Sequence, residues 1–208
     1  TQAVGRIDID LDSADVDLIS ASAHKFYGPK GVGLLTFAGG PSRRRIRLKP
    51  MIVGGGQQHH LRSGTLSPAN AVAMATALDL ALAEREATHA KIIALRNSLW
   101  NGLQQGIEGI RLNGPALDSS GRLAGNLNCM LPAIEGEAWM AACPLVAFSS
   151  GSACSSVDAK PSHVLTGSDL GESESRQSVR FGVGKFNTAN EIEDAIGQLV
   201  AAYKSLAG

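Results

Sequence analysis

Four stretches of the chain carry residue types that can do chemistry. In ISASAHKFYGPKGVGLL, residues 19–35, Lys25 stands between the small residues Ser20, Ala21, Ser22 and Ala23 and a turn holding Gly28, Pro29, Gly31 and Gly33. Small neighbours let a flat ligand approach the backbone, and an amine drawn partly out of water loses basicity and becomes a nucleophile toward carbonyls. Ser22 and His24 add a hydroxyl and an imidazole suited to hydrogen-bonding a phosphate. Taken alone, the same lysine also reads as a surface side chain snorkelling from a strand end. In FSSGSACSS, residues 148–156, Cys154 lies among small residues, unlike the apolar surroundings that keep a structural thiol inert. A thiol on such a loop could enter and leave a site, as a nucleophile that ferries a group must. The bland alternative, a buried small hydrophobe, suits Cys129 and Cys143 better. GGGQQHHLRSGT, residues 54–65, holds the pair His59 and His60, with no cysteine pair nearby to complete a tetrahedral metal site. That pair reads as solvated or hydrogen-bonded. Arg180 alternates with Val179 and Phe181 in SVRFGVG, so its guanidinium could face a cleft and grip a carboxylate with two donors. An ordinary surface ion pair is the other reading.

Secondary-structure elements must hold these groups. VDLISAS and VGLLTF are short, apolar and bounded by turns, the pattern of strands covered on both faces. From Ala69 to about Arg85 the residues Val72, Ala75, Leu78, Ala81 and Leu82 recur at helical steps, and helical periodicity continues to about Leu103. IRLNG and GNLNCMLP read as strands, EGEAWMAAC as a short helix, PLVAFSSGSACSS as a strand entering a loop, and SVRFGVG as a further strand. The last helix opens with Thr188 and Glu191 at capping-box spacing and carries a stripe of Ile192, Ala195, Ile196, Leu199, Val200 and Tyr203. Helices alternate with strands, so the class is α/β or α plus β.

Bulk properties narrow the function classes. The 208 residues, 44% hydrophobic, can form one large or two small domains with a proper core. Nineteen basic residues balance nineteen acidic ones, so no overall field draws the chain to nucleic acid or to an anionic membrane. The cluster of Arg43, Arg44, Arg45, Arg47 and Lys49 alternates with Ile46 and Leu48 like a half-buried edge strand. No apolar run approaches the roughly 20 residues of a membrane span and no signal segment opens the chain, which reads as a cytoplasmic protein. Three cysteines at wide spacings fit no disulfide framework.

SASAHKFYGPKGVGLL, GGGQQHHLRSGT, SSGSACSS and SVRFGVGKFNTANEIEDAI, in this order and spacing, resemble the cysteine desulfurases, members of the class V aminotransferase group within the fold type I pyridoxal-phosphate enzymes. The resemblance covers essentially the whole chain. It implies an α/β chain: residues 1–82 as the C-terminal part of a large pyridoxal-phosphate-binding domain with a mainly parallel sheet flanked by helices. Residues 83–208 would be a small α+β domain carrying a mobile cysteine loop at about 148–160. It implies that Lys25 bonds pyridoxal phosphate, that Ser22 and His24 hold the phosphate, and that Gln2 meets the cofactor's phenolic oxygen. Thr65 would reach the partner subunit's site in a homodimer, and Arg180 would bind the carboxylate of the substrate, L-cysteine. Cys154 would take the substrate's sulfur as a persulfide and pass it to an iron–sulfur scaffold or another acceptor protein. No resident metal site is implied, Cys154 being at most a transient ligand of an iron–sulfur cluster. The same scaffold also serves selenocysteine or cysteine lyases. Family members commonly carry an acidic residue after the glutamine matching Gln57, where this chain has Gln58, His59 and His60, and that difference bears on partner contacts. The family's aspartate for the pyridinium nitrogen falls three residues before the glutamine matching Gln2, ahead of Thr1. The chain is thus expected to be the later part of an enzyme almost twice as long and to gain activity only with its N-terminal complement; the alternative is a non-catalytic dimerising or scaffold-binding fragment.

Overall fold

The structure, a computed structural model, describes residues 1–11, 13–37, 47–150 and 162–208. It divides into two compact units, residues 1–86 and 87–208.

In the first unit, strands β1 (Leu18–Ser22) and β2 (Gly33–Phe37) pair antiparallel, from Leu18 opposite Phe37 to Ser22 opposite Gly33. A mainly parallel sheet is the expectation here, but the described strands differ for a covalent reason. Only residues 23–32 join them, and a parallel crossover needs a dozen or more. The connection opens with a single 3-10 turn, Ala23–Phe26, which ends at Tyr27 in the left-handed conformation (φ 69°). Helix α1 (Pro68–Ala83) begins where the Ser67 side chain accepts a hydrogen bond from the Asn70 N–H, with Pro68 in the first turn. Its core-facing residues are Met74, Ala77, Leu78 and Ala81, packed around Ala21, Ala23 and Phe26. The expected stripe is thus displaced, and Val72 and Leu82 are 66% and 48% exposed. The helix is apolar nearly all round, so periodicity alone could not select the face. Residues 47–49 lie in no strand, although Leu48 is half-buried between exposed Arg47 and Lys49; Arg43, Arg44, Arg45 and Ile46 fall outside the described residues.

The second unit starts within α2 (Arg85–Gly106) and centres on an antiparallel sheet of β3 (Arg111–Leu112), β4 (Asn126–Met130) and β5 (Ser178–Gly182), in that spatial order. Leu127, Cys129, Val179 and Phe181 point to the interior, where Leu99, Leu103 and Leu199 join them. Three shorter helices, α3 (Gly136–Ala142), α4 (His163–Thr166) and α5 (Glu172–Arg176), connect the strands. The last helix, α6 (Ala189–Ala207), opens with the expected reciprocal cap: Thr188 Oγ1 accepts from Glu191 N at 3.2 Å and Glu191 Oε2 accepts from Thr188 N at 2.9 Å. Ile192, Leu199 and Ala202 are buried, and Ala195, Ile196, Val200 and Tyr203 pack beside them. Ile196 and Val200 occupy space that side chains at Gly102 and Gly106 of α2 would fill, since a Cβ there would stand 2.6 and 2.4 Å from them. No described helix is long and apolar enough to cross a membrane.

Candidate functional site

Lys25 sits in the 3-10 turn, held on several sides by backbone. Ala23 N–H donates to Val32 O at 3.1 Å, and Gly28 N–H returns to Ala23 O at 2.9 Å. The Ser22 N–H donates to Thr1 Oγ1 at 2.9 Å, which brings the segment of Gln2 to the end of β1. Arg6 Nη2 donates to Lys25 O at 3.3 Å. Ala21, Ala23 and Phe26 face inward, so Ser22 and Lys25 are left half-buried and His24 exposed. Ser22 Oγ, the His24 ring and Lys25 Nζ make no hydrogen bond to any described residue. A hydroxyl, an imidazole and an amine within four residues, none engaged by the described residues, form a donor set that fits a phosphate beside a carbonyl carbon.

Thr65 is exposed, and no described contact joins it to the Lys25 turn. The loop before it folds on itself: Ser63 N–H donates to Ile52 O at 3.1 Å, Ser63 Oγ to Gly55 O at 2.6 Å, and Gly64 N–H to Gln57 Oε1 at 3.1 Å. Gln58, His59 and His60 all take left-handed backbone, at φ 52°, 55° and 64°, and are exposed. Among the described residues no cluster of three potential metal ligands exists.

In the second unit Arg180 is exposed in the middle of β5. On one side it lies opposite Asn128 of β4. On the other, Ser149 N–H donates to Arg180 O at 3.1 Å and Arg180 N–H to Ser149 O at 2.6 Å. The expected strand over PLVAFSS is reduced to this one bridge. Phe148 fixes it, stacked on Phe181 (centroids 4.9 Å apart) and meeting Trp139 edge-on at 5.2 Å. Trp139 is itself pinned by its Nε1–H to Leu199 O at 2.9 Å. Cys154 lies outside the described residues. The two described thiols are buried: burial pushes Cys129 up to about 12, and it also raises Cys143, against a Val146 backbone N–H that lowers it.

Two polar residues of these surroundings went unremarked in the sequence. Arg6 gave no signal, because its contact with Lys25 O spans the whole of β1. Asn128 did, in the alternation of Asn126 and Asn128 with Leu127 and Cys129.

Residues 1–194 match the sequence profile of the aminotransferase class-V family. The chain is 42% identical over 205 residues to the cysteine desulfurase IscS of Shewanella woodyi, across 99% of its own length and 49% of the relative's. It superposes on the X-ray structure of a NifS-like protein from Rickettsia africae with a TM-score of 0.81 at 26% identity, covering 98% of this chain and 52% of that one. A structure of SspA in complex with cysteine is also similar, at TM-score 0.60 and 29% identity over 90% of this chain and 49% of that one. The chain spans about half the length of the curated relatives it matches. With an α/β chain whose lysine turn and arginine strand lie within that match, the protein belongs to the aminotransferase class-V family.

Proposed function

We propose that this chain is part of a pyridoxal-phosphate-dependent cysteine desulfurase, which converts L-cysteine to L-alanine and leaves the sulfur as a persulfide on Cys154. One observation carries the reading furthest, the pairing of Ser149 with Arg180. Cys154 follows Ser149 by only five residues in the sequence.

The cofactor, when bound, supplies an electron sink conjugated to the substrate's α-carbon. Lys25 would hold it through the amine and carry the α-proton, with Ser22 and His24 on the phosphate and Gln2 on the phenolic oxygen. Arg180 orients the substrate by its carboxylate. The Cys154 thiolate takes the substrate's sulfur: an S–S bond forms, the carbon–sulfur bond breaks with its electron pair going to carbon, and a proton completes alanine. Burial keeps Cys129 and Cys143 protonated and out of reach, which leaves Cys154 for this role. The SspA structure with cysteine supports the substrate assignment.

The partners follow from the same reading. Residues 1–82 belong to a cofactor-binding domain and 83–208 to a smaller one. Leu34, Leu35 and Phe37 on β2 and Leu80 on α1 are 38% to 52% exposed, and the N-terminal complement of the same enzyme covers them. Thr65 reaches a second subunit in a homodimer, and an iron–sulfur scaffold or other acceptor receives the sulfur, in the cytoplasm. The test uses the full-length protein with pyridoxal phosphate. Cys154→Ser keeps the cofactor's visible absorption and loses alanine release, while Lys25→Ala loses both. Full alanine release from Cys154→Ser would refute the assignment.

A further inference from the structure

The outer face of the β3-β4-β5 sheet carries a chain of hydrogen bonds whose direction is fixed at one end. Ser178, fully buried, donates its hydroxyl proton to Glu174 O at 2.7 Å, and a backbone carbonyl can only accept. The Ser178 oxygen must therefore accept from its other partner, Asn113 Nδ2, at 2.8 Å. The same amino group donates to Asn128 Oδ1 at 2.7 Å. A second bond, Asn113 N–H to Asn128 O at 2.9 Å, holds the two residues in register. With its oxygen committed, Asn128 turns its two N–H donors the other way. Asn128 is half-buried and lies directly across from Arg180, where facing Cβ atoms are about 4.5–5.5 Å apart on the same side of a sheet. The neighbouring Asn126 is arranged differently: its Oδ1 accepts from Arg122 Nη1 at 3.1 Å, and Gly182 stands opposite it.

We infer that Asn128 is a second carboxylate-binding residue, whose amide N–H donates to the substrate's carboxylate beside the Arg180 guanidinium. This rests on the Arg180 reading given above. Two donor groups from adjacent strands match the two oxygens of one carboxylate, and the Asn113–Ser178–Glu174 relay keeps the amide from presenting its oxygen instead.

Asn128→Asp tests this with little disturbance to the fold, because an aspartate oxygen still accepts from Asn113. It removes the donor and sets a negative charge against Arg180. In the full-length protein with pyridoxal phosphate, binding of L-alanine and of its uncharged amide, L-alaninamide, is read from the cofactor's visible absorption. Asn128→Asp should weaken L-alanine by about tenfold or more and leave L-alaninamide within about twofold, as expected for loss of a hydrogen bond to a charged group. Asn128→Ala, which adds no charge, should lower the same selectivity to a smaller extent. In turnover the change should fall on KM for L-cysteine rather than on kcat. Equal weakening of both ligands, or of neither, would overturn the inference. If Arg180→Met loses L-alanine while both Asn128 variants keep it, the Arg180 reading stands and this one falls. If the wild type distinguishes L-alanine from its amide only as weakly as Arg180→Met does, both fall.

Discussion

Gly28→Ala adds a single methyl group at the junction between the Lys25 turn and α1. An ideal Cβ at this position would lie 2.9 Å from Ala23 Cβ, 3.0 Å from Ala23 O and 3.2 Å from Ala77 Cβ. Carbon atoms in comfortable contact stand about 3.5–4.0 Å apart. Neither neighbour can swing aside, since Ala23 is fully buried in the turn and Ala77 is fixed on a helix. The backbone at Gly28 is not left-handed, so alanine meets no conformational penalty and gains about 0.4–1 kcal/mol through a less flexible unfolded chain. Overpacking of this kind costs about 1–3 kcal/mol, which leaves a net loss of roughly 1–2 kcal/mol. Relief requires the turn to move off α1, and Lys25 moves with it. Urea unfolding of the full-length protein should show a lower midpoint with an unchanged slope, and cofactor absorption should show weaker occupancy. Ala23→Gly removes the tightest contact, so the double variant should be less destabilised than the two single effects added. A midpoint at or above wild type, with full occupancy, would refute the packing argument.

Two further expectations concern acid and thiol chemistry. The Gly171 N–H and then the Arg111 guanidinium hold Glu174 below the usual carboxylate range, and the Thr188 N–H and then Asn187 do the same for Glu191. A depressed folded value means stability that is present above the unfolded value, about 4.3, and is lost as pH falls through the folded one. Urea midpoints measured from about pH 6 to about pH 3 should therefore fall less steeply in Glu174→Gln and Glu191→Gln than in wild type; equal slopes would count against those contacts. Alkylation of the folded protein at about pH 8, followed by peptide mapping, should spare Cys129 and Cys143 until denaturant is added, because burial keeps both thiols protonated.

The local rules were legible wherever one residue type dictates the geometry. The Thr188 and Glu191 cap, the α6 stripe and the strands around Arg180 follow from spacing alone, and the grouping of Ser22, His24 and Lys25 is set by adjacency. What depended on partners was not legible. The buried face of α1 shifted to Met74 because too many of its residues are apolar for periodicity to choose among them. PLVAFSS has the composition of a strand, yet only Ser149 pairs, because Phe148 is drawn to Trp139 and Phe181. The antiparallel pairing of β1 with β2 follows from their short connection, a local detail that the resemblance did not specify. The Arg6 contact with Lys25 O and the Asn113 relay join residues distant in sequence, and no short motif records them.

Gly102 and Gly106 have a consequence for the order of folding. Each glycine weakens the final turns of α2 by about 1 kcal/mol relative to alanine, so that part of the helix leans on its neighbour for stability. That neighbour is α6, whose Ile196 and Val200 come from far along the chain. Closing so long a loop is slow compared with local helix formation. As the chain leaves the ribosome, the end of α2 should stay frayed until α6 has emerged, and the second unit should consolidate late and all at once.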